Sequence, residues 1–247
     1  MVGTEAASSE PATGMQSIFM KDKNHPPEEK IMTLDRPHLD PHPLSPYVAW
    51  AGRRNRDPLL EVFQEKLPKT PGHALEFASG SGMHINYFAP HFPHLVFHPS
   101  DLNEHALENI MRVTWENEVK NVVAPVQLDL TREETWPHPD EQLFDVIFVI
   151  NIFQVAPISV AGGMMKCAAE LLHKDGFLFI YGPFKDHGRY TTESNQEFDQ
   201  MIHSAGVAEW GLKDIADLET AAHEHALVLS DKIAMPANNF GLIFTRA

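Results

Sequence analysis

The segment ALVLSDKIAMPANNFGLIFTR (226–246) decides the fold. Its two apolar runs, 226–235 and 240–246, read as strands, and only four residues part them. A parallel pair needs a crossover of about a dozen residues or more, so these two must form an antiparallel hairpin. Upstream the pattern differs. Strands read at HALEFA (73–78), HLVFHPSD (94–101), VVAPVQLDL (122–130), LFDVIFVIN (143–151) and FLFIYGPF (177–184). Helices are expected between them: one opened by Asp57-Pro58 with Leu59, Leu60, Val62, Phe63 and Leu67 on its apolar face, then 83–91, 103–118 and 159–173. Two more, at 193–203 and 214–225, precede the hairpin. Strands alternating with helices imply a doubly wound sheet with right-handed crossovers. The expectation is an α/β fold with a seven-stranded, mostly parallel sheet whose last strand is antiparallel.

Composition narrows the function classes. With 247 residues, 43% hydrophobic and 21% charged, the chain suits one α/β domain. Nineteen basic against 34 acidic residues give a net charge of −15, a surface that repels phosphate backbones and argues against a nucleic-acid partner. The single cysteine, Cys167, excludes an internal disulfide framework and a cysteine-based zinc site, and is expected to pack in a helix. His91, His94 and His98 are broken apart by Pro93 and Pro99, so no metal is expected there. The mean hydropathy of −0.26 and the lack of an apolar run near 18 residues point away from a membrane. With no secretory signal pattern, a cytoplasmic protein is expected. Residues 1–46 differ from the rest: prolines at 26, 27, 37, 41, 43 and 46, and His25, His38 and His42, suggest a flexible Pro/His-rich arm before a domain over 47–247.

Open α/β sheets bind ligands beyond the carboxyl ends of their strands. Along that edge lies an ordered series. After the first strand comes Glu76-Phe77-Ala78-Ser79-Gly80-Ser81-Gly82, where the glycines permit a tight turn and close approach of a ligand to the backbone. A dinucleotide site would continue to a third glycine, but position 85 is Ile. Glu76 would repel a pyrophosphate and suits an ammonium-bearing ligand, which favours S-adenosylmethionine over NAD. Asp101, with Leu102 after it, ends the second strand, 25 residues past Glu76, where a carboxylate accepts from ribose hydroxyls. Asp129 ends the third strand and can accept from an adenine amino group, with Leu128 and Leu130 sandwiching the ring. Asn151 ends the fourth. A reversed final strand in such a sheet is the arrangement of class I methyltransferases.

The chain resembles the methyltransferase-like family also called domain of unknown function 938, the methyltransferase-like protein 26 family. The matching segments include RNRDPLLEVF (54–63), LEFASGSGMHINYFAPHFPHL (75–95), HPSD (98–101), YGPF (181–184), SNQEFD (194–199), EWGLKD (209–214) and MPANN (235–239). The resemblance implies a class I fold binding S-adenosylmethionine, with Arg54 and Asn55 on the cofactor side. This chain departs from the family pattern. Gln154 stands where the family carries a histidine after the fourth strand. Arg53 replaces the acidic residue of E-R-N, and a family arginine between SNQEFD and EWG is missing. A diverged member with an altered pocket is implied.

Methyl transfer needs a base only when the acceptor is protonated, and glutamine cannot serve as one. The candidate catalytic residues are therefore Gln154 and Tyr181, with His187 as a substitute base. Topology brings Phe153, Gln154, Tyr181, Ser194, Asn195, Asn238 and Asn239 to the same carboxyl edge as acceptor-side residues. Three functions stay open: methyl transfer to a small molecule such as a specialised metabolite, a non-methylating reaction such as cyclisation on the same scaffold, or catalytically silent binding of S-adenosylmethionine. Oligomeric state is not legible.

Overall fold

A computed structural model describes residues 36–247. The fourth strand, β4 (Phe144–Ile150), is buried on both faces from Val146 on, as its almost wholly apolar sequence requires of a central parallel strand; Asp145, near its start, accepts from the His73 N–H at 2.8 Å. Around it lie β1 (Gly72–Phe77), β2 (Leu95–Asp101), β3 (Val126–Gln127), β5 (Leu172–Gly182), β8 (Leu227–Met235) and β9 (Asn239–Arg246). Their order is β3-β2-β1-β4-β5-β9-β8. Pairing is parallel from β3 through β5, and β9 runs antiparallel to both β5 and β8. The hairpin at 226–246 thus inserts its reversed strand between β5 and β8. A two-stranded ribbon, β6 (Lys185–Asp186) with β7 (Arg189–Tyr190), occupies what reads as a polar loop.

The helices are α1 (Pro46–Lys66), α2 (Met83–Phe88), α3 (Glu104–Glu116), α4 (Val160–Leu171), α5 (Glu193–His203) and α6 (Ile215–Glu224). They cover the two sheet faces with separate cores. On one face α1 and α2 bury Leu59, Phe63, Ile85 and Phe88 against Phe148 and Phe179. On the other, α4 and α6 bury Met164, Cys167 and Leu218 against Leu75, Ile147 and Leu178. No helix among the described residues is long and apolar enough to cross a membrane.

Three elements differ from expectation. Helix α1 begins at Pro46, not at Asp57-Pro58, because the Ser45 hydroxyl caps it by accepting from the Val48 N–H at 3.1 Å. Pro58 then lies inside the helix. A proline there removes one backbone donor and costs roughly 3 kcal/mol, offset by the burial of Leu59, Leu60 and Phe63 just beyond it. The third strand shrinks from 122–130 to two residues, since Leu128 and Leu130 turn inward to the core. Helix α4 passes directly into β5, and the Lys174–Gly176 turn expected between them falls within that strand's irregular start. The expected arm lies outside the described residues up to position 35. Residues 37–45 are described, and there the Ser45 hydroxyl donates to Asp40 O at 2.7 Å, closing a turn that leads into α1.

Candidate functional site

The loop from Glu76 to Gly82 is built by backbone conformations that side chains resist. Gly80 and Gly82 adopt φ of +57° and +75°. A Cβ on Gly82 would lie 2.9 Å from Ile110 Cγ1, so α3 packs directly on the loop. Ala78 takes φ +51° as well, a left-handed conformation that costs an L-residue roughly 1–2 kcal/mol. Hydrogen bonds lace the loop to the end of β2. Ser79 N–H donates to Ser100 O at 2.8 Å, and the Ser100 hydroxyl donates to Glu76 O at 2.7 Å. Gly80 N–H donates to Asp101 Oδ2 at 2.8 Å, and Asn103 N–H to Asp101 Oδ1 at 2.9 Å. Burial raises the Asp101 pKa, and the N–H groups of Asn103, Gly80 and Leu102 pull it partly back.

Glu76 is the electrostatic anomaly. Its residue is 1% exposed, and its Oε2 atom is buried without a hydrogen-bond partner. Burial pushes its carboxyl up to about 8, with Asp101 adding to the rise and Ser79 partly offsetting it. An unsatisfied buried carboxyl oxygen at the mouth of a glycine loop is the feature a cationic ligand would satisfy.

Asp129 is held below its ordinary range by Thr131, whose N–H and hydroxyl both donate to Oδ1, at 2.8 and 2.7 Å. The expected leucine sandwich is absent. Leu128 and Leu130 are core side chains, and the α4 glycine Gly163 abuts the Leu130 carbonyl. The exposed apolar side chain beside the series is Leu102, at 59%.

At the end of β4, Asn151 takes φ +59° and donates its N–H to Tyr181 O at 2.8 Å. Gln154 does not project as a free amide: its Nε2 donates to Asn151 O at 2.8 Å, closing the turn. Phe153, expected on the acceptor side, belongs to the core beside Phe184. Tyr181 is buried, and its hydroxyl accepts from Asn239 Nδ2 at 2.8 Å. Burial pushes its phenol up to about 12, although the Asn239 bond and the nearby Arg54 charge act the other way. Asn238, Asn195 and Ser194 do meet, but largely to hold one another. Asn195 Nδ2 donates to Asn238 O at 3.1 Å, and Asn238 Nδ2 to Ser194 Oγ at 3.0 Å. Their bonds stabilise a turn in which Ala237 and Asn238 both have positive φ. His187 stands apart from the series. It occupies the exposed β6–β7 turn, with its ring on Asp186 at 2.8 Å and its N–H donating to Asp214, and it forms no hydrogen bond to the strand-end residues.

Two arrangements carry no spacing signal in the sequence. Asn55, on α1, spends its Oδ1 on His84 Nε2 at 2.7 Å, pinning α1 beside the glycine loop. Burial and the Arg56 charge press the His84 pKa down to about 4, so its ring is neutral at pH 7. Asp199 is a buried hub: it accepts from Tyr190 OH at 2.6 Å and Leu212 N–H at 2.6 Å and pairs with Lys185 at 3.1 Å. Gly211 N–H in turn donates to Gln154 O at 3.0 Å. The SNQEFD and EWGLKD segments are thus one packed unit behind the β4 turn.

The sheet order, the reversed strand and the glycine loop laced to β2 define a Rossmann-like methyltransferase fold. Solved structures agree at low identity. CalO1, a methyltransferase in calicheamicin biosynthesis solved with S-adenosylhomocysteine (SAH), is 15% identical with a TM-score of 0.68, covering 81% of this chain and 56% of its own. An O-methyltransferase family protein from Burkholderia thailandensis is 16% identical with a TM-score of 0.66, covering 81% and 59%. An O-methyltransferase family 2 protein from Planctomyces limnophilus, solved with apigenin, is 14% identical with a TM-score of 0.65, covering 83% and 62%. The chain therefore spans less than two thirds of the length of these structures. It belongs to the family described as "Protein of unknown function (DUF938)", whose model matches residues 46–246.

Proposed function

We propose that the protein transfers the methyl group of S-adenosylmethionine to a small molecule. The buried, unpartnered Glu76 Oε2 carries this reading, because the ammonium of that cofactor's amino-acid tail would satisfy it, the proton that burial keeps on the carboxyl at pH 7 leaving as the cation binds. The remaining residues fit the same ligand. Asp101 offers its remaining lone pairs to ribose hydroxyls, Asp129 is ionised beside an adenine position, and Leu102 offers an apolar face. Ser79, Gly80, Gly82 and Asn151 line the loop and strand end, and Arg54 and Asn55 flank them from α1. The O-methyltransferases of similar fold support the reaction class. The net charge of −15 supports a small-molecule acceptor over nucleic acid.

When bound, S-adenosylmethionine supplies a methyl group on a positively charged sulfur. What this chain adds is orientation, which alone can lower such a barrier by several kcal/mol. The Tyr181 phenol stays protonated at neutral pH and can donate to an acceptor oxygen while Asn239 holds its own oxygen in place. Gln154 keeps the β4 turn closed rather than moving a proton. The reading therefore favours an acceptor that needs no strong base. Silent binding on the same scaffold is the second reading, favoured by that lack of a base.

The test is incubation with methyl-labelled S-adenosylmethionine and deproteinised cell extract, followed by chromatography of the small molecules. Transfer of label supports the proposal, and cofactor binding without transfer supports the silent scaffold. Asp101→Ala should weaken cofactor binding by about 1–3 kcal/mol through lost charge-assisted hydrogen bonds. Unchanged affinity would remove Asp101 from the site.

A further inference from the structure

We infer that two copies of this chain pair through the outer face of α3, each seating its Trp115 in a cavity of the other. The inner face of α3 is spent on the glycine loop: Ile110 packs on Gly82, and Asn109 Nδ2 donates to Ser81 O at 2.8 Å. The outer face is apolar and uncovered. Trp115 is 80% exposed, and Met111, one turn earlier, is 50% exposed. Four of the seven large apolar side chains exposed among the described residues gather in this region: these two, with Val123 and Val126 on the segment that forms edge strand β3. Single exposed apolar residues are ordinary, but a cluster of them marks an interaction surface.

Between α3 and that edge segment lies a cavity of about 280 Å³, lined by Met111, Thr114, Trp115, Val119, Val122 and Val123 together with their neighbours. The Thr114 hydroxyl oxygen on its wall is buried without a hydrogen-bond partner. Leaving such a group unpaired is costly, and the indole N–H of an incoming tryptophan is a donor it can accept from. Pro125 has no N–H and interrupts the edge, so a partner cannot extend the sheet there by a continuous ladder. The contact is therefore made by side chains, with tryptophan as its anchor.

The rim of the cavity selects a second copy as the occupant. Glu118 and Lys120 both lie on it, one on each side of Val119, and both are exposed. Neither has an ionic partner among the described residues, whereas Arg112 and Glu116 of the same helix pair with each other at 2.7 Å. One free charge of each sign makes the rim complementary to itself. A two-fold axis beside Val119 lays Glu118 of one protomer against Lys120 of its partner, and the reverse, as each Trp115 enters the facing cavity. A purely basic partner would leave Lys120 unmatched, and a purely acidic one would leave Glu118 unmatched. The net charge of −15 on each copy opposes association at long range, but at about 0.15 M salt a Debye length of about 8 Å confines that repulsion and leaves the close contacts to decide.

The experiment is sedimentation equilibrium of the full chain over about 1–200 μM at pH 7 and about 0.15 M salt. The mass should rise with concentration from 27.8 kDa toward twice that value. Trp115→Ala and Lys120→Glu should each weaken the dimer about tenfold or more, because two-fold symmetry makes every change twice. The charge-swapped double variant, Glu118→Lys with Lys120→Glu, should return the dissociation constant to within about threefold of wild type. All three side chains are exposed, so melting temperatures taken at about 1 μM should agree within about 2 °C, which separates a lost interface from a lost fold. A chain still monomeric at about 200 μM would overturn the inference and leave this face to a different protein. A dimer indifferent to Trp115→Ala would overturn it too, by placing the interface elsewhere. So would a dimer that Lys120→Glu leaves intact or that the charge swap fails to restore, since the two-fold pairing of Glu118 with Lys120 would then be wrong.

Discussion

Replacing Glu76 by glutamine isolates the most unusual charge in the molecule. The folded carboxyl titrates near 8 because it is buried, against an ordinary value of 4.5. The folded state therefore holds a proton that the unfolded chain releases as pH rises above 4.5. Stability associated with this group is fully present below pH 4.5 and is lost as pH rises through 8. At about 1.4 kcal/mol per pH unit, the loss is about 3 kcal/mol at pH 7 and about 5 kcal/mol at pH 9. Glutamine has nothing to titrate. The stability of Glu76→Gln minus that of wild type should thus grow by about 4 kcal/mol between pH 5 and pH 9. Urea unfolding of both proteins, followed by circular dichroism at pH 5, 7 and 9, measures the difference. Any fixed cost of burying an amide cancels in that slope. A difference that does not change with pH would refute the reasoning, since it would mean that Glu76 is solvated or already paired.

Acid should act through two half-buried imidazoles. Desolvation holds His84 and His98 near 4, so each contributes stability above pH 6.5 that is lost as pH falls toward 4, the His98 share reduced by its partial exposure to solvent. Glu76 slopes the opposite way below pH 6.5, so the check is whether His98→Gln flattens the acid limb of an unfolding series; an unaltered limb would show that His98 is accessible to water. Ala78→Gly should raise the melting temperature slightly, because relief of the left-handed penalty exceeds glycine's extra chain entropy by up to about 1 kcal/mol. A lower melting temperature would count against strain at that position. Gly82→Ala should destabilise by more than about 1 kcal/mol, since its Cβ would need both a positive φ and the space of Ile110; calorimetric unfolding showing no loss would mean that the loop can relax.

The elements legible in the sequence were those with one dominant force. The hairpin at 226–246 followed from loop length and β4 from an almost wholly apolar run, and the observed range of α5, Glu193–His203, equals the expected one. Elements set by tertiary contacts were not. Pro58 reads as a helix start by local propensity, but the Ser45 cap and the burial of Phe63 carry the helix through it. Leu128 and Leu130 alternate like strand residues, yet they serve the core beneath α4 and leave β3 short. In the candidate site the glycine turn and the carboxylates at strand ends were legible because topology dictates where such groups lie. Side-chain roles were not. Gln154 and Asn195 turned out to be bonded to backbone, Phe153 is buried, and His187 faces solvent on a ribbon turn. The Asn55–His84 bond joins positions 29 apart and depends on how α1 lies against α2, which spacing does not report.

Titration calorimetry of the purified protein with S-adenosylhomocysteine at pH 7 bears on all of this at once. A cleft with an unsatisfied acidic oxygen at one end predicts saturable binding at one site per chain in the micromolar range, weakened in Glu76→Gln. Neither heat nor a shift in melting temperature at about 1 mM ligand would contradict it, because a nucleoside that cannot stabilise the folded state at that concentration has no site there.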